Sequence, residues 1–225
     1  MTTHANALVI MAKAPVPRQV KTRLIPFLSA EDAAELSRCL FLDLLATLER
    51  FSGGEFFLAF SPPESFALFH ELVPSRCSLF PQRGNNLGER MGNIFEDLLG
   101  QGYKNIVIIG SDLPVFPLHF LEEAFAALEP PGHEVVLGPT RDGGYYLIGM
   151  RRPIPEIFER IPWGSETVFS TTIHKLDSLG VPTYRVPVWF DIDAPEDLLC
   201  FEAIMDSSED GPQRNTLRFL KNLAR

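Results

Sequence analysis

The sequence predicts a single three-layer α/β/α domain with a mixed, mostly parallel β-sheet. Short apolar runs alternate with longer segments in which apolar residues recur at helical spacing, and this order is typical of a parallel sheet covered by helices on both faces. Residues 134–150 depart from the alternation, because two strand-like segments flank an Asp-Gly-Gly turn and predict an antiparallel hairpin. The chain has 225 residues, of which 45% are hydrophobic, and that is enough for one large core.

The N-terminal half begins with an apolar run of strand length at residues 7–12. Ser29 is a predicted N-cap, with Asp32 at the third position of the helix that follows. The run at 7–12 suits a strand buried on both faces, and NIVIIG at residues 105–110 is the strongest strand signal in the sequence. Further strands are predicted at 56–60 and 77–80, and helices at 63–73 and 87–99.

The C-terminal half continues with a helix at 117–128 and the hairpin strands at 134–138 and 145–150. A helix at 165–179, an extended segment at 183–192 and a helix from Pro195 to about Met205 follow. Residues 207–215 are polar and predict a linker before an amphipathic helix at 216–225. We therefore expect a domain at 1–206, and at 207–225 a linker and helix that pack on this domain or on a partner.

The formal net charge of −9 argues against a nucleic acid or an anionic membrane surface as the partner. No apolar stretch approaches the ~18 residues of a membrane span and no signal-peptide pattern is present, so we expect a cytoplasmic protein. Three widely spaced cysteines without a CxxC pair, and histidines without HxH or HExxH spacing, disfavour disulfides and zinc.

The segment after the first predicted strand carries four cations within eleven residues and no acid. These cations are Lys13, Arg18, Lys21 and Arg23. Ligands of such folds bind outside the carboxyl ends of the strands, so the segment could clamp a diphosphate or triphosphate. A solvated loop with surface cations is the alternative. Neither a Walker P-loop nor a GxGxxG fingerprint is present.

Carboxylates follow two other strand ends. Asp112 directly follows the strand at 105–110, and either binds Mg²⁺ or belongs to a turn. Side chains alternate in direction along an extended segment, so Asp191 and Asp193 lie on the same side of it. Asp193 could bind metal or cap the helix that begins at Pro195. For Asp142, before Gly143 and Gly144, a turn residue is the favoured interpretation over a functional one.

The loop RGNNLGERM at residues 83–91 is polar and contains glycine. It could admit a nucleobase or ribose close to its backbone, or it could be a plain connection into a helix.

Together these segments resemble a family of nucleotide-diphospho-sugar transferases of the glycosyltransferase-A type, also labelled radical SAM/selenodomain-associated transferases. The resemblance rests on motifs that occur in the family's order along nearly the whole chain: MAKAPVPRQVKTRL at 11–24, GNNLGERM at 84–91, GSDLP at 110–114, PTRDGGYYLIGM at 139–150, PWGSETVF at 162–169 and FDIDAPEDL at 190–198. It implies a Rossmann-like fold, a nucleotide or nucleotide-sugar substrate with a small acceptor, and Mg²⁺ or Mn²⁺.

The resemblance implies metal at Asp112, with Asp193 as the second ligand and Asp191 as the less favoured choice. For a transferase we predict catalytic roles for Lys21, Asp112 and Asp142, and in glycosyl transfer Asp142 could act as a base on an acceptor hydroxyl. Substrate binding is assigned to Lys13, Arg18, Arg23, Asn86, Gly88, Gly143 and Gly144. The cation-rich loop favours nucleotidyl transfer, glycosyl transfer stays open, and a non-catalytic nucleotide-binding protein is the alternative of another class. The oligomeric state is not readable from the sequence.

Overall fold

A computed structural model describes residues 5–204 and 214–223. The strands are β1 (Asn6–Lys13), β2 (Glu55–Ser61), β3 (Cys77–Pro81), β4 (Asn105–Gly110), β5 (Val135–Pro139), β6 (Tyr145–Met150) and β7 (Thr183–Arg185). The α-helices are α1 (Ala30–Leu48), α2 (Phe66–Leu72), α3 (Leu87–Gly100), α4 (Leu118–Leu128), α5 (Val168–Ser178), α6 (Pro195–Ile204) and α7 (Arg214–Leu223). No helix within these ranges is both long and apolar enough to span a membrane.

The seven strands form one sheet in the order β3-β2-β1-β4-β6-β5-β7. β6 runs antiparallel to both of its neighbours, β4 and β5, whereas the other adjacent pairs are parallel. The predicted hairpin and the mixed, mostly parallel sheet are therefore confirmed. Because β6 is reversed, its N-terminal residue Tyr145 lies at the edge of the sheet where β1 and β4 end.

Helices cover both faces of the sheet, and each face has its own apolar core. Side chains of α1, α2 and α4 pack on one face, in a cluster that contains Phe41, Phe69 and Leu121. Side chains of α3 and α5 pack on the other, in a cluster that contains Phe95 and Leu176. Ser29 caps α1 as predicted, since its side chain accepts a hydrogen bond from the Asp32 amide. The result is the predicted three-layer domain.

Three predicted elements differ from the structure by three or more residues at one end, and one of these, the helix predicted at 165–179, begins at Val168 as α5. The extended segment predicted at 183–192 forms a ladder only at Thr183–Arg185, followed by an isolated bridge between Trp189 and Thr140. Pro187 explains part of this difference, because a proline has no amide hydrogen to donate to a neighbouring strand. The predicted helix at 63–73 begins as a 3₁₀ turn, Pro63–Ser65, before α2. Most of the predicted linker, residues 207–213, lies outside the described residues.

Candidate functional site

One ammonium group joins three loops at the edge where β1 and β4 end. The Lys21 Nζ lies 2.9 Å from Asp112 Oδ2 and 2.8 Å from Asp193 Oδ1. Lys21 follows β1, Asp112 follows β4, and Asp193 precedes α6. The fold therefore brings together three of the residues that the sequence singled out, although Lys21 and Asp193 are 172 positions apart in the chain.

The Lys21 side chain is only 1% exposed, whereas those of Asp112 and Asp193 are 37% and 39% exposed. Burial on its own would lower the pKa of Lys21, but the charges of Asp112 and Asp193 outweigh it and hold this pKa above its usual value. Burial on its own would raise the pKa of Asp193, but the charge of Lys21 outweighs it and keeps this pKa below its usual value. The three groups thus form a charged cluster whose cation is inside and whose carboxylates face solvent.

Asp191 adds a further carboxyl group beside this cluster. Burial and, to a smaller extent, the charges of Asp193 and Asp142 raise the pKa of Asp191 to about 7, although the charge of Lys21 acts to lower it. The backbone also links these segments, because the Ile192 amide donates to the Asp112 carbonyl oxygen over 3.3 Å. Asp112, Asp191 and Asp193 therefore lie around one buried cation, with Asp142 close enough to act on Asp191, and the site is rich in negative charge.

A cavity of about 310 Å³ opens between the ends of β1, β4 and β6, beside this cluster. Its polar and charged lining side chains are Lys13, Ser37, Gln82, Arg90, Ser111, Asp112, Tyr145, Tyr146 and Asp191. The cavity and the carboxylates are contiguous, since Asp112 and Asp191 belong to both. The arrangement can therefore accept a ligand that carries phosphate or metal charge at one end and an apolar or hydrogen-bonding group at the other.

Gln82 is a cavity residue that the sequence interpretation did not single out, and Arg90 belongs to the candidate loop at 83–91 but was given no role of its own. The Arg90 guanidinium donates to the Gly84 carbonyl oxygen (3.2 Å) and to Gln82 Oε1 (3.3 Å). The Gln82 amide group donates in turn to the carbonyl oxygens of Ala12 and Ala59. Helical spacing was an available signal, because Leu87, Arg90 and Met91 share one face of α3 and all three line the cavity.

The other cations of the basic loop take different positions from Lys21. The Lys13 Nζ donates to the Gln19 carbonyl oxygen over 2.8 Å and lines the cavity. Arg18 and Arg23 are exposed, and the charge of Arg23 contributes to lowering the pKa of Asp193. Lys21 differs from these three, because it is enclosed between carboxylates rather than facing solvent.

Asn86 and Gly88 lie away from the first cavity and line a second one, of about 740 Å³, between α3 and the 3₁₀ turn Pro155–Phe158. The Asn86 side chain caps α3 by accepting from the Glu89 amide. A Cβ on Gly88 would lie 2.8 Å from the Trp163 ring, so this glycine allows close packing. For these two residues the geometry agrees with the plain helical connection that the sequence left open.

Asp142, Gly143 and Gly144 form the hairpin turn. The Asp142 carboxylate accepts from the Thr140 hydroxyl and from the Gly144 amide, as a turn-forming aspartate does. Gly143 has a φ of +88°, and an added Cβ would stand 1.9 Å from the Glu166 carbonyl oxygen. This geometry matches the favoured turn interpretation. The charge of Asp142 still reaches the cluster, because it acts on Asp191.

The cap of α6 differs from the alternative considered for Asp193. The Asp193 carboxylate accepts from Lys21, while Asp197 Oδ2 accepts from the amides of Asp193 and Ala194. Asp197 therefore stabilises the start of the helix, and the Asp193 carboxylate remains directed at the cluster.

Comparison with known proteins places the chain among transferase folds. The family of uncharacterized proteins conserved in bacteria, DUF2064, matches residues 44–165, which is more than half of the chain. A crystal structure from Desulfovibrio desulfuricans G20, named as a candidate nucleotide-diphospho-sugar transferase, has a TM-score of 0.86 and 28% identity over 97% of this chain and 96% of that one. No curated protein sequence matches the chain.

Two cytidylyltransferase structures share the fold at low identity. CMP:2-keto-3-deoxy-manno-octonic acid synthetase complexed with CTP has a TM-score of 0.56 and 12% identity over 89% of this chain and 98% of that one. The 4-diphosphocytidyl-2C-methyl-D-erythritol synthase of Anaerococcus prevotii DSM 20548 has a TM-score of 0.58 and 12% identity over 88% and 94%. The structural neighbours of this chain are thus nucleotidyltransferase and nucleotide-sugar transferase folds.

The Lys21 cluster predicts a coupled effect on stability. Lys21→Met leaves two carboxylates facing each other, and we expect it to lower the free energy of unfolding by about 1–3 kcal/mol, less than for a fully buried pair because both carboxylates are partly hydrated. In an Asp193→Asn background the same change costs about 1 kcal/mol less, because part of the repulsion is gone. Urea unfolding of the four proteins of this cycle measures the coupling.

Lys13→Met is the matched control, because Lys13 is exposed and its ammonium contacts a carbonyl oxygen rather than a carboxylate. We expect it to change stability by less than about 0.5 kcal/mol. Equal effects of Lys21→Met in the two backgrounds would contradict the shared-cation interpretation.

The geometry of the hairpin turn predicts that alanine substitution lowers the free energy of unfolding much more at Gly143 than at Gly164. Gly143→Ala places a Cβ at a positive φ of +88° and in collision with Glu166, whereas Gly164→Ala places one at a similar φ of +85° with nothing within 4 Å of it. We expect a loss of about 1–2 kcal/mol for Gly164→Ala from backbone strain and about 1–3 kcal/mol more for Gly143→Ala from overpacking. Thermal or urea unfolding checks this, and equal losses would show that the collision is relieved.

Proposed function

This chain belongs to the family of uncharacterized proteins conserved in bacteria, DUF2064, and we propose that it is a divalent-metal-dependent transferase that acts on a nucleoside triphosphate or a nucleotide-sugar. The observation that carries the proposal is the cluster of Lys21, Asp112, Asp191 and Asp193 beside a cavity at the carboxyl ends of the strands. In α/β sheets this is the usual place for a nucleotide. The similarity to the Desulfovibrio protein supports the same class of reaction.

Asp112 and Asp193 are the proposed ligands of Mg²⁺ or Mn²⁺. They offer hard oxygen donors, and their contact with the same ammonium shows that they converge on one point where positive charge is favourable. The described residues contain no group of three or more His, Cys, Asp or Glu side chains that could hold a metal unaided. Two carboxylates suit Mg²⁺ nonetheless, because it commonly completes its shell with water and substrate phosphates.

When bound, the metal supplies positive charge to phosphate oxygens. The chain's own contribution is positioning and charge. Lys21 holds Asp112 and Asp193 at a fixed separation before any ligand arrives, and preorganised charge of this kind lowers the barrier because little rearrangement is needed during reaction. Lys13 at the cavity, with Arg18 and Arg23 at the surface of the same loop, would neutralise the phosphates. Asp191 is the alternative metal ligand.

Nucleotidyl transfer is the favoured reaction, because a triphosphate carries more negative charge and the first loop provides, besides the enclosed Lys21, three exposed cations to neutralise it. Glycosyl transfer is the second candidate, supported by the name of the Desulfovibrio protein. In that reaction Asp142 would act as the base, but its carboxylate already accepts hydrogen bonds from Thr140 and Gly144. A protein that only binds nucleotides would need the cations but would have little use for converging carboxylates.

We include a cytoplasmic location in this proposal. The cysteines Cys39, Cys77 and Cys200 are free thiols, as is usual for a protein of a reducing compartment.

Metal-dependent binding is the first prediction of this function. We expect a nucleoside triphosphate or a nucleotide-sugar to raise the melting temperature only when Mg²⁺ or Mn²⁺ is present, because metal is needed to offset the repulsion between phosphates and carboxylates. A thermal-shift panel of the four ribonucleoside triphosphates and common nucleotide-sugars, with metal or with EDTA, measures this. Hits are then assayed by mass spectrometry for release of pyrophosphate or nucleoside diphosphate, which separates the two reactions. No metal-dependent shift with any donor would refute the proposal.

Asp112→Ala tests the metal assignment. It removes a carboxylate that is partly exposed and leaves Lys21 paired with Asp193, so we expect the domain to stay folded and metal-dependent nucleotide binding to fall at least about tenfold. Asp177→Ala, on the exposed surface of α5, makes the same change of charge away from the cluster and should bind normally. Titration of the donor found in the panel measures both affinities. Normal metal-dependent binding by Asp112→Ala would remove Asp112 from the metal site.

A further inference from the structure

A buried carboxylate of α1 accepts hydrogen bonds from the first turn of the C-terminal helix α7. Asp43, in the middle of α1, is 4% exposed. Its Oδ1 accepts from the Asn215 amide (3.0 Å) and the Asn215 side chain (2.7 Å), and its Oδ2 accepts from the Thr216 amide (2.8 Å). These amides belong to the first turn of α7, where helical N–H groups have no partner within the helix. Asp43 therefore caps α7 from another helix.

This contact explains how a charged residue, Asp43, can be buried in the middle of the packing between two helices. A carboxylate buried on the packed face of a helix is costly unless hydrogen bonds replace its water. The N-terminus of α7 provides three such bonds together with the positive end of the helix dipole. The pairing is specific, because Asp43 needs those donors as much as the helix end needs an acceptor.

The apolar face of α7 rests on residues that support the candidate site. We call this set the loop-support cluster, and its buried members are Leu24, Leu36, Leu40, Phe190, Ile192 and Phe201. Leu217, Phe219 and Leu220 of α7 pack against it. Its members come from the 3₁₀ turn after Lys21, from α1, from α6 and from the segment that contains Asp191.

Two parts of the loop-support cluster are joined through the backbone to charged residues of the site. The Leu24 amide donates to the Lys21 carbonyl oxygen over 2.9 Å. Phe190 and Ile192 flank Asp191, and Ile192 immediately precedes Asp193. Lys21 itself has a left-handed backbone conformation, φ 49°, which a non-glycine residue keeps only when its surroundings hold it. The packing beneath these loops therefore fixes where Lys21, Asp191 and Asp193 stand.

We propose that Asp43 is a positioning residue of the candidate site, which holds α7 on the loop-support cluster and thereby keeps the loops of Lys21 and of Asp191–Asp193 in place. The consequence for transfer rests on the proposed function, but the coupling between α7 and the two loops does not. The test is therefore made on the full-length chain without substrate.

The experiment compares Asp43→Asn with Glu35→Gln by hydrogen–deuterium exchange. Glu35 lies on the same helix, and its carboxylate pairs with Arg38 rather than with α7. Asp43→Asn should speed exchange about tenfold in α7 and in residues 18–25 and 189–194, which corresponds to ~1.4 kcal/mol of lost protection. Exchange in β4 should keep the rate of the parent protein, and Glu35→Gln should match the parent throughout.

Labelling of lysine amines by acetic anhydride gives a second readout at the site itself. Lys21 is enclosed and should label slowly in the parent protein, with exposed Lys13 as the internal standard. Asp43→Asn should raise labelling of Lys21 relative to Lys13 severalfold. A helix that only adds stability would leave this ratio unchanged.

Leu220→Ala provides an independent variant, because it loosens α7 without touching the buried carboxylate, and Arg218→Ala on the exposed side of α7 is its control. The proposal is overturned if α7 exchanges faster while the two loops and Lys21 stay protected, or if neither variant loosens α7. It is also overturned if both variants speed exchange in β4 as much as in the loops, since α7 would then support the whole domain. None of these outcomes depends on whether a nucleotide binds.

Discussion

The contact of the Lys21 ammonium with Asp112 and Asp193 is the constraint on which the candidate site depends. Each of the three residues belongs to a different loop, so the loops cannot move apart without separating charges that are already partly removed from water. Removing one partner from such a cluster is expensive, whereas the intact cluster is close to neutral in cost. The loops at this edge of the sheet are therefore held together by charge as well as by packing.

The same contact accounts for the electrostatic character of the site. Lys21 brings one positive charge to a place where Asp112, Asp142, Asp191 and Asp193 come close, and the charges of Asp193 and Asp142 add to burial in raising the pKa of Asp191. In the proposed function, a divalent metal would bring positive charge to these carboxylates, and the metal together with the cations of the first loop would attract a phosphate group. An acidic protein of net charge −9 can thus be suited to a small, metal-bound anion while repelling a long polyanion.

The sheet and the helices contribute the geometry. Reversal of β6 brings Tyr145 and Tyr146 to the ends of β1 and β4, where they line the cavity beside Asp112. Next to the charged loops, the loop-support cluster joins apolar side chains of α1 and α6, and α7 packs against it. The ion pairs of Lys21 and the apolar packing of Leu24 hold the same backbone segment in place. Together they allow Lys21 to keep its left-handed conformation.

The sequence by itself determined the features that depend on near neighbours in the chain. Strand β4 was predicted with its observed bounds because a continuous apolar run can only be buried, and Ser29 was identified as a cap because capping needs only three residues of spacing. Only the tertiary structure decided which charges meet. Lys21 was predicted to face phosphate, yet it is enclosed by carboxylates, and Asp43 gave no signal at all. Asn86 and Gly88 were assigned to substrate, but they line the second cavity, because they lie on a different side of the start of α3 from Leu87, Arg90 and Met91, which line the first. Local patterns record burial and caps, whereas contacts such as Lys21–Asp193 and Asp43–Thr216 join distant positions, and only the folded sheet and its packed helices bring these together.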